Sequence, residues 1–399
     1  MNILHLHEWS SIKGGAEVYI SQLMELLPAY GCTSYWIGLR LSEDGRYQVT
    51  EYQQENIQYF DTKQEIFTFL KAFFQAKKID ILNLHNFFIP EISNFCLQNL
   101  PTIRTAHGPQ LVCPGNDKFW RKSERVCDKV FGLHCLSHIY TEGCANRHPK
   151  RVFRAFQHFH FEHTTAIKQY HRIMVMSEYV RQEYIKGGIP AEKILLNPYF
   201  TPLISESELQ PLVENAPKSL LFMGRLISTK GVHILIESLL PLLTQRTDIQ
   251  LDIVGDGIMR AEIEGIIAKT GLANRIVLHG WKSKSEIASF LQKAYLVLFP
   301  SIYPEAFGLV GIEAMMYAKP VVAFDAGGVS TWLKNEETGF LVPLKDTKAL
   351  YNAVKKLLED NNCYQQMAQM ARIQAVKYFS AEIHLKQLLA IYQSAIHTK

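Results

Sequence analysis

Arg225 and Lys230 lie in the segment Gly224-Arg225-Leu226-Ile227-Ser228-Thr229-Lys230-Gly231. A short apolar run precedes this segment and a helical pattern follows it, so both cations share a strand-to-helix loop. There a guanidinium can hold phosphate oxygens in bidentate fashion, and an ammonium adds a mobile point charge. Two solvated surface cations are the competing reading, because charged side chains are mostly exposed in any case. Further along, Glu305-Ala306-Phe307-Gly308-Leu309-Val310-Gly311-Ile312-Glu313 follows the turn-like Ser301-Ile302-Tyr303-Pro304. Gly308 lets backbone approach a ligand closely. A helix starting near Leu309 would offer free N–H groups and a positive dipole end to a phosphate. Glu313 falls about one turn further in, where a carboxylate can accept from ribose hydroxyls; Glu305, ahead of the helix, can face a sugar. Two carboxylates at this spacing also occur by chance as solvated groups.

The amino-terminal half carries less legible chemistry. Gly14-Gly15 lies between the first apolar run and a helical pattern, where a turn alone would ask for glycine. His107, in Thr105-Ala106-His107-Gly108, ends a strand pattern. His5 and His7 lie on the first strand and read as packing or as support behind a site. Cys113, Cys127, Cys135 and Cys144 fall in one loop-rich stretch of a chain with only seven cysteines. They suit either a structural Zn²⁺ or plain thiols; there is no Cys-x2-Cys knuckle, and both readings stay open. Arg147, Lys150, Arg151 and Arg154 lead into an aromatic, His-rich stretch. That reads as one solvated basic face, or as a surface for anionic lipid headgroups or a lipid-linked acceptor.

These groups need elements to position them. The chain has 399 residues, too many for one ordinary core, so two domains are expected. Apolar runs at 3–6, 34–39, 79–84, 102–106 and 173–176 alternate with helical patterns such as 16–27. That alternation predicts an α/β domain with a mostly parallel sheet. The pattern loosens over 197–217, which holds four prolines, and then restarts. Strands are expected at 219–223, 250–254, 276–278, 296–299 and 321–324, and helices at 231–243, 258–270, 283–293 and 309–317. The expected division is 1–200, with an insertion at about 108–150; a linker at 201–217; a second domain at 218–380; and a terminal helix, 381–399, returning to the first domain. Ligands in such sheets bind beyond the carboxyl ends of the strands, so a cleft between the domains is the expected site.

Composition narrows the function classes. A net charge of +4 gives no reason to expect nucleic-acid binding. No apolar run is long enough to span a bilayer, and the start lacks a basic n-region and a cleavage site. The expectation is a cytoplasmic protein, with cysteines kept as thiols or metal ligands rather than disulfides.

Gly224-Arg225-x4-Lys230-Gly231, Val254-Gly255-Asp256-Gly257 and Glu305-x7-Glu313 occur in this order across the second half. Together with Pro300-Ser301-x-Tyr303-Pro304-Glu305-Ala306-Phe307-Gly308, they resemble the glycosyltransferase family 4 pattern on the GT-B fold, two Rossmann-like domains facing a central cleft. The resemblance implies a retaining transfer of a sugar from a UDP- or GDP-sugar to the hydroxyl of a glycan or lipid-linked acceptor. It gives Arg225 and Lys230 the donor diphosphate, Glu305 the transferred sugar, Glu313 the ribose, and the backbone of Leu309 and Val310 the distal phosphate. Gly224, Phe307 and Gly308 would line the donor site, and His279-Gly280-Trp281 would lie against the nucleobase. Gly14-Gly15 resembles the family's first glycine loop, and His107 its active-site histidine. No cofactor is implied for catalysis, since no Asp-x-Asp sequence holds a divalent ion. Some members carry a similar Cys-bearing insertion, which keeps a structural zinc in view. Peripheral contact with the inner face of the membrane is a further expectation. Rivals are a nucleotide-sugar 2-epimerase-like isomerase and a non-catalytic nucleotide-sugar-binding protein.

Overall fold

The computed structural model describes residues 1–12, 14–42, 44–54, 56–209 and 217–397. The chain divides into two compact units, Met1–Tyr199 with His384–Lys399, and Phe200–Ile383. Residues 210–216 of the expected linker, and Lys13 beside Gly14, lie outside the described residues.

The first unit holds β1 (Asn2–His7), β2 (Thr33–Leu41), β3 (Tyr47–Glu51), β4 (Ile57–Phe60), β5 (Ile81–Leu84), β6 (Thr102–Ala106), β7 (Phe119–Trp120), β8 (Arg125–Val126), β9 (Arg172–Val175) and β10 (Ile194–Leu196). Eight of them form one sheet in the order β10-β9-β6-β5-β1-β2-β3-β4, and β7 pairs with β8. The central strands are buried along almost their whole length, which is why they read as continuous rather than alternating runs. β3 and β4 add an antiparallel edge that the apolar pattern did not predict. The signal for it is Asp44-Gly45, a turn pair in which Gly45 has φ 88°. The strand expected from residue 79 begins at Ile81, because Asp80 turns its carboxylate to accept from the Asn2 backbone N–H at 2.7 Å.

Chain order in this sheet runs outward from β1 to β2 on one side and from β5 to β6 on the other. That reversal is a topological switch point, and it leaves a crevice at the carboxyl ends of β1 and β5. The helix Ala381–His397 closes the unit: Tyr392 accepts from Asn83 at 2.6 Å, and His384 Nε2 meets the Tyr19 hydroxyl at 2.8 Å.

The second unit carries β11 (Lys218–Met223), β12 (Ile249–Val254), β13 (Ile276–Gly280), β14 (Ala294–Phe299), β15 (Val321–Phe324) and β16 (Gly339–Val342). They form a wholly parallel sheet in the order β13-β12-β11-β14-β15-β16. Its switch point lies between β11 and β14, so the loops after Met223 and Phe299 open onto the same crevice. Helices occupy the expected stretches with shifted ends. The one expected from residue 258 begins at Arg260, and Ile258 stands 90% exposed in the preceding turn.

Candidate functional site

In the second unit, the loops at the switch point bring Lys230 onto Glu305. Lys230 Nζ lies 2.5 Å from Glu305 Oε1, which also accepts from Ser301 Oγ at 2.5 Å; Tyr303 donates to Oε2 at 2.7 Å. Lys230 lies 5.1 Å from the centre of the Tyr303 ring and 5.7 Å from that of Phe299. Residues 75 positions apart in sequence thus share one charged, partly buried point. The Glu305 backbone is fixed as well, since its carbonyl accepts from Gly328 N–H at 2.7 Å. Arg225, from the same loop as Lys230, is exposed.

Beside this pair the helix Leu309–Met316 begins. Gly308 precedes it in the left-handed region, φ 96°, and no side chain caps the helix. A methyl group on Gly308 would lie 2.9 Å from Phe299 Cζ, so both space and backbone conformation require glycine. The first-turn N–H groups of Leu309 and Val310 therefore keep the donors that an anion would accept from. Trp332 underpins the turn by donating to the Phe307 carbonyl at 2.7 Å. Phe307 itself is buried, with its ring centre 6.0 Å from that of Phe379, so its side chain braces the loop. Glu313 is half-buried, and burial raises its pKa against the lowering effect of Lys284.

Gly224, Gly255 and Gly280 sit side by side at the strand ends: Gly224 N–H donates to the Val254 carbonyl at 3.0 Å, and Gly255 N–H to that of Gly280 at 2.8 Å. Trp281 is 75% exposed next to them. His279 turns back into the sheet, where Nε2 lies 2.7 Å from Asp252 Oδ1.

In the first unit, Gly14 ends in extended backbone and starts the helix Gly15–Leu26, again without a side-chain cap. His107 belongs to a chain of imidazoles. Its Nε2 lies 2.9 Å from His85 Nδ1, and His85 Nε2 lies 3.0 Å from His5 Nδ1. The other nitrogen of His107 is bonded to the Tyr199 hydroxyl. Both ring nitrogens are thus engaged inside the protein, and a ligand would meet one only after a bond is broken. Burial depresses the pKa of His107 and of His85 well below the ordinary value, and the nearby Arg104 charge pushes the same way. Arg104 is fully buried on β6, and none of its three guanidinium nitrogens has a hydrogen-bond partner. His85, Arg104 and Tyr199 were missed by motif reasoning. A buried strand that carries polar residues, Ile81-Leu82-Asn83-Leu84 followed by His85, was the available signal.

The four cysteines lie in or beside the insertion as free thiols, three of them buried. Burial pushes the Cys144 thiol up to about 12, and Cys144 packs with Ile139 and Val152. Among the described residues, no group of three or more His, Cys, Asp or Glu side chains is arranged to hold a metal ion. Nor is any helix there long and apolar enough to cross a membrane.

Comparison with known proteins adds to this geometry. Residues 13–198 match Glycosyltransferase Family 4, and residues 205–374 match Glycosyl transferases group 1. The chain belongs to the family 4 glycosyltransferases. Among relatives of this family, alpha-D-kanosaminyltransferase of Streptomyces kanamyceticus is 27% identical over 280 residues, 67% of this chain and 72% of that protein. Phosphatidyl-myo-inositol mannosyltransferase of Mycobacterium leprae is 31% identical over 179 residues, 44% of this chain and 46% of that one. Solved structures give the fold, GT-B. Sucrose-phosphate synthase from Thermosynechococcus elongatus has a TM-score of 0.70 at 20% identity, covering 100% of both chains. The Anabaena protein HepE, solved with UDP and glucose, has a TM-score of 0.66 at 18% identity, covering 98% of this chain and 99% of that one.

Proposed function

We propose that this glycosyltransferase moves a sugar from a UDP- or GDP-sugar to an acceptor hydroxyl, with retention of anomeric configuration. The observation that carries the reading is the Lys230–Glu305 pair beside the uncapped start of the helix Leu309–Met316. A cation, free N–H groups and a carboxylate converge where a diphosphate and its sugar would meet. HepE, a protein of the same fold solved with UDP, supports a nucleotide donor.

In this reading Lys230 and Arg225 neutralise the diphosphate, and the N–H groups of Leu309 and Val310 hold its distal phosphate. Glu305 accepts from hydroxyls of the transferred sugar and Glu313 from the ribose. As the bond from the anomeric carbon to the phosphate oxygen breaks, charge builds on the leaving group. Fixed cations and amide dipoles stabilise that charge without reorganising, which is the largest expected contribution. The acceptor oxygen forms its bond on the same face, and its proton passes to the departing phosphate oxygen. Strand-end glycines Gly224 and Gly280 keep the backbone low around the donor, and Trp281 offers a face to the base. His107 contributes a neutral ring held by His85 and Tyr199.

Lys230→Ala and Glu305→Ala test the assignment. Each should lower transfer by about 100-fold or more, the loss typical of removing one transition-state charge contact, while circular dichroism shows an intact fold. Wild-type activity in both variants would refute the site. The anomeric configuration of the product, read by NMR, tests retention separately.

A further inference from the structure

A cavity of about 610 Å³ opens at the carboxyl ends of β1, β5 and β6 in the first unit, at its switch point. That volume suits a small-molecule ligand. Its wall has two characters. Arg40, Arg151 and Arg154 line it with a single carboxylate, Glu8, and Phe88, Phe131 and Phe159 add aromatic surface. Phe131 and Phe159 stack with ring centres 3.5 Å apart. The Arg40 guanidinium lies 4.0 Å from the centre of the Trp9 ring, which holds it at the wall.

Arg151 and Arg154 are poorly placed for the helix that carries them. The helix Pro149–Phe161 has no acidic residue in its first turn and no side-chain cap. Lys150 and Arg151 therefore crowd the positive end of a helix dipole, and Arg154, three residues on, shares a face with Arg151. None of the three arginines is in a salt bridge with a carboxylate among the described residues. An anion in the cavity would relieve that conflict. Three guanidiniums ask for more than one negative charge. A phosphate ester or diphosphate supplies that charge with oxygens that fit Arg geometry, which a lone carboxylate does not.

We propose that this cavity is the acceptor subsite and takes an acceptor bearing a phosphate or diphosphate next to an apolar chain. The phosphate sits among Arg40, Arg151 and Arg154, and the apolar portion lies along the phenylalanines. The inference rests on the glycosyltransferase reading above, since only a transferase needs this second substrate.

Calorimetric titration of the full chain, in saturating UDP so that the donor site is filled, tests it. The probes are farnesyl diphosphate, farnesol and inorganic pyrophosphate, against wild type and the double variant Arg40→Gln/Arg154→Gln. Farnesyl diphosphate is expected to bind tightest and to weaken by about tenfold or more in the double variant. UDP binding stays unchanged. Pyrophosphate that binds weakly and competes with farnesyl diphosphate identifies the phosphate as the part held by arginine. Pyrophosphate that binds as tightly as farnesyl diphosphate overturns the apolar half of the proposal. Farnesol bound as tightly as its diphosphate, or a double variant with wild-type affinity, overturns the anionic half. Should both proteins ignore farnesyl diphosphate, and the double variant alone stop floating with phosphatidylglycerol vesicles, the arginines serve a membrane surface and the subsite is wrong. Failure of UDP itself to bind would instead sink the donor-site reading. Arg154→Gln alone serves if the double variant does not fold.

Discussion

Acid should unfold the first unit selectively. Burial lowers the pKa of His5 and His158 from 6.5 to about 3, and that of His7 and His384 to about 4. All four belong to the first unit. Each is neutral when folded and takes a proton near pH 6.5 once unfolded, so the unfolded chain binds more protons in between. Stability is therefore full above 6.5 and falls as the pH drops toward the folded values. At about pH 5 a buried neutral histidine costs roughly 2 kcal/mol, from RT ln(1 + 10^1.5); His7 and His158 each lie 3.5 Å from a carboxylate, Glu17 and Glu162, that offsets part of this, so the four together cost about 4–8 kcal/mol. That rivals the whole stability of an ordinary domain, about 5–15 kcal/mol. For a unit of this size it corresponds to a fall in melting temperature on the order of 10–30 °C. Hydrogen exchange followed by mass spectrometry at neutral pH and at about pH 5, corrected for the intrinsic rate, should show protection lost in β1, β5 and β6 and retained in β11 to β15. Equal protection at both pH values, or histidines in the folded protein that titrate near 6.5, would refute the reasoning. Loss of transfer in acid would then follow unfolding, not the titration of His107, which burial already holds neutral.

Gly308→Ala should destabilise the protein by about 1–3 kcal/mol, through a strained positive φ and a methyl group pressed on Phe299, and should weaken UDP binding; thermal shift and calorimetry read the two effects. His85→Phe should leave UDP affinity intact but change the ¹⁵N tautomer signature of His107, because the partner of Nε2 is removed; an unchanged signature would show that His85 does not set the ring. A panel of UDP-, GDP- and ADP-sugars should separate by melting temperature, the correct donor adding about 2.7 kcal/mol at 100 times its Kd.

The loops of the proposed donor site were legible because their chemistry is local. Arg225 to Lys230 and Glu305 to Glu313 are contiguous motifs, each between a strand pattern and a helix pattern, and glycine requirements such as that of Gly308 follow from the turn itself. The parallel sheets were legible for a similar reason, since strands buried on both faces leave unbroken apolar runs. The β3–β4 edge was not, because both strands are short and mix polar with apolar residues, and only the Asp44-Gly45 turn marks them.

The sequence by itself determined two α/β domains and, in the second, the two strand-to-helix loops that carry Arg225 to Lys230 and Glu305 to Glu313. Tertiary structure alone decided that Lys230 closes onto Glu305, and that His5, His85, His107 and Tyr199 form one buried chain over an unpaired Arg104. It also decided that Arg40 meets Arg151 and Arg154 around one cavity. The physical reason is sequence separation. Periodicity and turn chemistry act over a few residues, whereas these contacts depend on strand order, which brings together segments that no local pattern links.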